Sequence, residues 1–173
     1  MTCIVGLIEN ERVYIGGDSA ASSGEDINVV KGPKVFLKED MLFGCTGSFR
    51  MIQLLKYKLV IPKNRHKELE KYFANEFIDA IKSLARDGLS DSEANKFGGF
   101  LLGYQGRLFE FDDNLQFFEN LRDIAAIGNS MPIALGSLYS TKGKKPELRL
   151  KLALEASEYY NTIVRKPFHI KFI

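Results

Sequence analysis

The sequence lacks tryptophan and has only two cysteines and two histidines in 173 residues. Two cysteines, Cys3 and Cys45, are too few for a disulfide framework, so a reducing compartment fits best. Two histidines argue against a multi-histidine metal site. No run of about 18 apolar residues is present, which argues against a membrane-spanning helix. Met1 is followed directly by Thr2, without a basic segment, and we expect no signal peptide.

The sequence also lacks a strong excess of either charge. Its 24 Lys and Arg against 22 Asp and Glu give a net charge of +2, whereas dedicated nucleic-acid binders usually have a clear basic excess. Apolar residues make up 45% of the chain and include 13 Phe and 7 Tyr. This composition predicts one globular domain over residues 1–173, with a core large enough to need no disulfide or metal.

Hydrophobic patterning predicts strands in the first third and again after the middle of the chain. Alternating and β-branched runs predict strands over residues 2–8, 12–17, 35–37, 41–45, 97–104, 107–111, 124–127 and 168–173. Residues 19–26, rich in Ser, Ala and acidic side chains, predict a polar loop. Residues 88–96 predict a polar linker.

Helical spacing appears in two separate pairs of segments. It predicts helices over residues 49–59, between residues 65 and 86, over residues 131–139 and over residues 146–160. The order is therefore strands, two helices, strands, two helices and a last strand. This order predicts an α+β fold, a four-layer αββα sandwich of two antiparallel sheets flanked by helix pairs.

The first residues suggest a specific chemistry. A threonine hydroxyl is a weak nucleophile unless a base lies next to it, and a threonine at the chain terminus can use its own α-amine. The ordinary pKa of an α-amine is near ~8, close to working pH. Removal of Met1 would leave Thr2 in that position, because a small second residue normally permits this removal.

Several short motifs surround this threonine at regular positions. They are Thr2-Cys3-Ile4-Val5-Gly6, Gly16-Gly17-Asp18, Lys34-Val35 and Gly44-Cys45-Thr46-Gly47. The set resembles the proteasome β-type and HslV family of N-terminal nucleophile hydrolases, and the match runs without a gap from Thr2 to Lys34. The resemblance continues through residues 124–128, 134–138 and 146–156. It covers essentially the whole chain, although the middle helices and residues 88–123 match in pattern only.

The resemblance implies a role for each matching residue. Thr2 would be the nucleophile. Lys34 would lower the pKa of the neighbouring amine and hydroxyl, and Asp18 would keep that lysine charged and oriented. Gly47 would offer its backbone N–H to the tetrahedral intermediate. Taken singly, Asp18 could cap a turn, Lys34 could lie on the surface and Gly47 could only end a strand, but their joint spacing favours a site.

Four positions differ from the family pattern. The family usually has Gly-Ser-Gly where this chain has Gly128-Asn129-Ser130, so the group that helps hold the terminal amine would be Asn129 or Ser130. The later Asp and Ser that support the same amine align with Glu158 and Asn161. Both replacements retain a carboxylate or a polar acceptor.

The resemblance implies a threonine endopeptidase that cleaves polypeptides and needs no metal or organic cofactor. It further implies a homo-oligomeric ring, often with an AAA+ ATPase that unfolds substrates, in the cytoplasm of a bacterium or of a phage-infected bacterial host. Nucleic acid and membrane are not expected partners. Two alternatives stay open: a catalytically silent ring subunit, and an N-terminal nucleophile amidase that acts on a small amide.

Overall fold

The computed structural model describes residues 2–23, 26–89 and 97–173. The strands are β1 (Cys3–Glu9), β2 (Arg12–Gly17), β3 (Ala20–Ser23), β4 (Asp26–Val29), β5 (Val35–Lys38), β6 (Met41–Cys45), β7 (Phe100–Tyr104), β8 (Arg107–Phe111), β9 (Phe117–Glu119), β10 (Ile124–Gly128) and β11 (His169–Phe172). The helices are α1 (Phe49–Tyr57), α2 (Leu69–Tyr72), α3 (Ile78–Gly88), α4 (Met131–Ser140) and α5 (Pro146–Tyr160). A π-helical segment, Phe73–Phe77, joins α2 to α3.

Two antiparallel sheets form the centre of the molecule. The first has the strand order β10-β1-β2-β11, and the second has the order β5-β6-β7-β8-β9. In the first sheet Cys3 pairs with Gly128 on one side of β1, and Ile4 pairs with Gly17 on the other. The start of β1 is therefore held between the ends of β10 and β2. Strands β3 and β4 form a separate hairpin.

Three apolar clusters separate four layers. Ile4, Ile15, Leu42 and Leu101 belong to the cluster formed by residues of both sheets. A second, phenylalanine-rich cluster joins the five-stranded sheet to helices α1 to α3. A third joins the four-stranded sheet to α4 and α5. The predicted αββα sandwich, with a helix pair outside each sheet, is confirmed.

Most predicted elements are found, with three corrections. Residues 19–26 do not form a simple polar loop, because Ala20–Ser23 and Asp26–Val29 pair as a hairpin. The strand predicted from residue 97 begins at Phe100, since Gly98 has a φ of +76° that interrupts extended backbone. The short strand Phe117–Glu119 was not predicted. Most of the linker predicted over residues 88–96, from residue 90 onward, lies outside the described residues.

Local chemistry explains where the helices begin. Ser48 caps α1, since its hydroxyl accepts a hydrogen bond from the backbone N–H of Arg50 at 3.2 Å. The helix predicted between residues 65 and 86 begins only at Leu69 and continues to Gly88. Pro146 opens α5 in its first turn, where its missing N–H has no cost. No helix in the described ranges combines the length and apolar character needed to cross a bilayer.

Candidate active site

Strand pairing within one sheet and packing against the other bring three predicted site residues together. Thr2 directly precedes β1, and Asp18 directly follows β2, its antiparallel neighbour. Lys34 directly precedes β5 in the facing sheet, where its carbonyl accepts a hydrogen bond from the backbone N–H of Cys45 at 2.9 Å. The three side chains therefore meet where the two sheets face each other.

The lysine joins the other two side chains. Lys34 Nζ donates to Thr2 Oγ1 at 3.0 Å and to Asp18 Oδ1 at 2.8 Å. The exposed fraction is 3% for Thr2, 1% for Lys34 and 0% for Asp18. Because these side chains have little contact with bulk water, the ammonium acts on the hydroxyl more strongly than it would at the surface. An ammonium in this position stabilises an alkoxide on Thr2.

Backbone groups hold the Asp18 carboxylate in place. Oδ1 accepts a hydrogen bond from the backbone N–H of Cys3 at 3.1 Å, and Oδ2 accepts from the N–H of Ala20 at 2.9 Å and of Arg165 at 3.5 Å. These donors come from β1, β3 and the segment before β11. These hydrogen bonds fix both oxygens of the carboxylate, and Oδ1 is thereby held against Lys34 Nζ.

Burial and the ion pair act in opposite directions on Lys34. Burial lowers the pKa of its ammonium below the ordinary value, while the charge of Asp18 and the hydrogen bond to it oppose this shift. The ring of Phe49 lies 6.0 Å from Nζ and adds a weak cation–π contact. The lysine therefore gives up a proton more readily than a surface lysine, which suits a group beside a reacting hydroxyl.

Gly47 lies in a tight contact between two loops. Its φ is +81°, and a Cβ at this position would lie 2.7 Å from the Cα of Gly98. The second loop is fixed by Thr46, whose hydroxyl donates to the Gly99 carbonyl at 2.9 Å and accepts from the Gly99 N–H at 3.1 Å. Only glycine fits both the backbone angle and the space. The oxyanion role of Gly47 stays a prediction.

The segment after β10 contacts the backbone of Thr2. The Asn129 N–H donates to the Thr2 carbonyl at 3.1 Å, while the Asn129 side chain is exposed. Ser130 is fully buried, and its hydroxyl has no hydrogen-bond partner within the described part of the chain. Since β10 runs antiparallel to β1, Ser130 follows the residue opposite Thr2. The Ser130 hydroxyl is thus better placed than the Asn129 side chain to contact the terminal amine. This role of Ser130 stays a prediction.

The two later candidates have partners of their own. Both carboxylate oxygens of Glu158 bind Lys166, one through its backbone N–H at 2.9 Å and one through Nζ at 3.3 Å. The Asn161 side chain accepts from the backbone N–H of Ile163 at 3.1 Å and shapes the turn after α5. Their proposed support of the terminal amine stays a prediction. Met1 lies outside the described residues.

One residue near the site was missed from the sequence. Ser157 is fully buried in α5, and its hydroxyl lies 3.4 Å from the sulfur of Cys3, next to Thr2. It also donates to the Ala153 carbonyl at 2.8 Å. The signal was present in the sequence, because Leu150, Ala153 and Ser157 recur at helical spacing on one face. The family pattern directed attention to residue 158 instead.

We expect both cysteines to be unreactive in the folded protein. Burial raises the pKa of the Cys3 thiol to about 11 and raises that of Cys45 further, and thiolate is the reactive form. A chromogenic disulfide reagent at pH 7.5 should label neither thiol in native protein and both in denaturant. Rapid labelling of one thiol in native protein, assigned by peptide mapping, would contradict this expectation. It would make that cysteine a candidate nucleophile.

An open cleft lies beside the site. It has a volume of about 310 Å³, and its wall includes Thr46, Gly98 and Gly128, which belong to the segments that flank Thr2 and Gly47. Its open shape suits an extended chain better than a small enclosed molecule. Within the described ranges, no cluster of three or more His, Cys, Asp and Glu side chains could hold a metal ion.

Solved structures with a similar fold were found, although no related sequence was. No protein-family model and no curated protein sequence matches the chain. A structure of Thiobacillus denitrificans BPH in complex with epoxomicin has a TM-score of 0.83 at 16% identity, over 99% of this chain and 98% of that chain. Eukaryotic HslV from Trypanosoma brucei gives 0.72 at 17% identity, over 99% and 98% of the two chains.

A third structure agrees with these two. Anbu (ancestral beta-subunit) from Yersinia bercovieri has a TM-score of 0.70 at 15% identity, over 99% of this chain and 81% of that chain. At such identities the likeness concerns the fold. The chain therefore has the fold of the proteasome-like N-terminal nucleophile hydrolases, and Thr2, Asp18 and Lys34 are brought together where its two sheets meet.

Proposed function

We propose that this chain is the peptidase subunit of a self-compartmentalised protease and that it cleaves peptide bonds through an acyl-enzyme on Thr2 after Met1 is removed. The contact of Lys34 Nζ with Thr2 Oγ1 at 3.0 Å carries the proposal. The ammonium of Lys34 has three donors, and it directs one of them to the hydroxyl of the residue that removal of Met1 would make terminal. This arrangement activates a hydroxyl.

The reaction begins at the terminal amine. The α-amine of Thr2 takes the hydroxyl proton as Oγ1 attacks the carbonyl carbon of the scissile peptide bond. The Lys34 ammonium, neutralised by Asp18, stabilises the developing alkoxide. The Gly47 N–H would donate a hydrogen bond to the oxyanion of the tetrahedral intermediate. Loss of one such donor typically costs about 10²–10³ in rate.

The second half of the reaction releases both products. The protonated α-amine gives its proton to the leaving nitrogen, the C–N bond breaks, and an ester on Thr2 remains. A water molecule then attacks the ester, with the same amine as base, and regenerates the hydroxyl. We assign to Asn129 or Ser130, with Glu158 and Asn161, the task of orienting this amine. Ser130 is favoured because its buried hydroxyl has no other partner among the described residues.

We further propose a polypeptide substrate, a homo-oligomeric ring and an AAA+ ATPase that delivers unfolded chains. The open cleft beside Thr46 and Gly128 supports the first. The likeness to HslV and to a protein described as an ancestral beta-subunit supports a ring. The location that goes with this proposal is the cytoplasm of a bacterium, or of a phage-infected bacterial host.

Intact-mass measurement after incubation with epoxomicin tests the nucleophile. Epoxomicin is a peptide epoxyketone, a group that reacts with both the hydroxyl and the α-amine of a terminal threonine. We expect a mass lacking Met1 and carrying one inhibitor. Thr2→Ala should carry none, because it has no hydroxyl, whereas the matched Thr2→Ser variant should still form the adduct.

The outcomes separate the proposal from its main competitor. Adduct formation that survives in Thr2→Ala would place the nucleophile elsewhere. A mass that retains Met1, with no adduct in the wild-type chain, would contradict the peptidase and indicate a silent ring subunit. Sedimentation of the same samples would report on ring formation separately from the chemistry.

A further inference from the structure

An arginine far from the active site is buried and makes no ion pair with any residue that the structure describes. Arg149 lies in the first turn of α5, and its side chain is only 8% exposed. Its Nη2 donates to the carbonyl of Leu138 at 2.9 Å, near the end of α4. Its Nε is buried and has no hydrogen-bond partner within the described residues. One bond to a helix end leaves most of the donors of the guanidinium unused.

The missing partner is unusual for a charge at this depth. Within the described part of the chain, no carboxylate lies within 4.0 Å of the Arg149 guanidinium. Buried charges are normally paired, because removing them from water is costly. By contrast, Arg107 on the other sheet makes ion pairs with both Glu70 and Glu119. An anion from outside the chain would supply Arg149 with a counter-ion, as Glu70 and Glu119 do for Arg107.

A cleft gives such an anion access. Its volume is about 600 Å³, and its wall includes Arg149, Arg122 and Lys142. Arg122 and Lys142 are exposed and make no ion pair among the described residues. Glu9 and Asp123 also line the cleft, yet neither lies within 4.0 Å of these cations. Three cations thus line one cleft, and none of them makes an ion pair among the described residues.

We propose that this cleft is a binding site for an oxyanion of the phosphate or carboxylate type. Guanidinium groups bind both anions through charge-assisted hydrogen bonds, and Arg149 lines the cleft with donors that no described residue uses. Lys142 and Arg122 add charge at the entrance. The volume leaves room for a larger group that carries the anion.

The site is separate from the catalytic one. Ile8 and Glu9, at the end of β1, line the cleft, whereas Thr2 precedes the start of β1. A strand rises about 3.3 Å per residue, so roughly 20 Å separate the two ends of β1. Anion binding at this cleft therefore does not depend on Met1 removal or on peptidase activity.

Isothermal titration of the full-length chain tests the proposal with two probes, sodium phosphate and sodium acetate, at constant ionic strength. We expect saturable binding of at least one probe, with one site per chain. Lys142→Ala should raise the Kd about fivefold, and Arg149→Met at least tenfold, because a hydrogen bond to a charged group is lost in each. Lys144→Ala removes an exposed lysine of the same loop that does not line the cleft. It should change the Kd less than twofold.

The two probes and the variants together test the anion site and the type of anion. Binding of phosphate but not acetate would assign a phosphate group to the ligand, and the reverse would assign a carboxylate. No saturable binding of either probe would overturn the proposal, as would equal losses in Lys142→Ala and Lys144→Ala. If Arg149→Met fails to fold, Arg122→Ala and Lys142→Ala still decide the result, because both side chains are exposed.

Discussion

Replacement of Lys34 by methionine is expected to lower the free energy of unfolding by about 3–5 kcal/mol, the usual cost of removing one partner from a buried ion pair. Asp18 would retain a buried negative charge, since its exposed fraction is 0% and its bond to Lys34 Nζ at 2.8 Å would be lost. Urea unfolding at a fixed protein concentration measures the change. The same variant should form no epoxomicin adduct, because Thr2 would lose its ammonium neighbour.

The control for this substitution is Lys31→Met. Lys31 is an exposed lysine three residues earlier in the chain, and its removal should change stability by less than about 0.5 kcal/mol. A double-mutant cycle with Asp18→Asn adds a second check. The double variant should lose less stability than the sum of the two single variants, because each single variant leaves a buried charge unpaired. Simple additivity would mean that the two charges do not interact.

Replacement of Gly128 by alanine is expected to cost about 3 kcal/mol or more in stability, the sum of strain at a positive φ and of overpacking. The φ of Gly128 is +94°, and an added Cβ would lie only 2.1 Å from the Thr2 carbonyl oxygen. The start of β1 would have to move away from β10. A displacement of about 1 Å at a reacting group can cost roughly 10²-fold in rate, so peptidase activity should fall together with stability.

Substitutions of two other glycines separate backbone strain from overpacking as causes of the expected stability loss. Gly143 has a φ of +87°, but a Cβ there would meet nothing within 4 Å, so Gly143→Ala measures strain alone. Gly136 lies in α4 with open space around it, and Gly136→Ala should stabilise the chain by about 0.5–1 kcal/mol. The free energy of unfolding in urea should therefore be highest for Gly136→Ala, lower for Gly143→Ala and lowest for Gly128→Ala. Equal losses at Gly143 and Gly128 would show that contact with Thr2 is unimportant.

Most of the fold could be predicted because its strands and helices have clear periodicity. Strands Arg12–Gly17 and Arg107–Phe111 and helix Pro146–Tyr160 match the predicted bounds. The hairpin of β3 and β4 could not be predicted, because Ser, Ala and Asp are typical of loops and β4 is exposed along its whole length. Cross-strand pairing of these two neighbouring segments stabilises the hairpin, and a strand that is exposed along its whole length lacks the alternation of apolar and polar residues that predicts a strand.

The site could be predicted where its residues match the family motifs and not where they depend on helix packing. Thr2, Asp18 and Lys34 match those motifs, and each lies next to the end of a strand. Pairing of β1 with β2 brings Asp18 close to Thr2, and packing of the second sheet adds Lys34. The surroundings of Ser130, Ser157 and Glu158 depend on how α4 and α5 pack on the sheet. A helix rotation of 100° separates neighbouring residues, which is why Ser157 contacts Cys3 while Glu158 contacts Lys166. The family pattern pointed to residue 158, whereas the helical face that contains Leu150 and Ala153 indicates residue 157.

The long sequence separation within the site has a consequence for how the protein is made. Ser19, next to Asp18, donates to the Pro167 carbonyl 148 residues further along the chain, and β11 pairs with the end of β2 at Gly17. A ribosome synthesises the N-terminal residues first, so Thr2 leaves it long before the segment that completes the surroundings of Asp18. Thr2, Asp18 and Lys34 are therefore made well before the segment that holds Asp18 through the Arg165 N–H, so we expect the proposed peptidase to gain its complete site only when synthesis has reached β11.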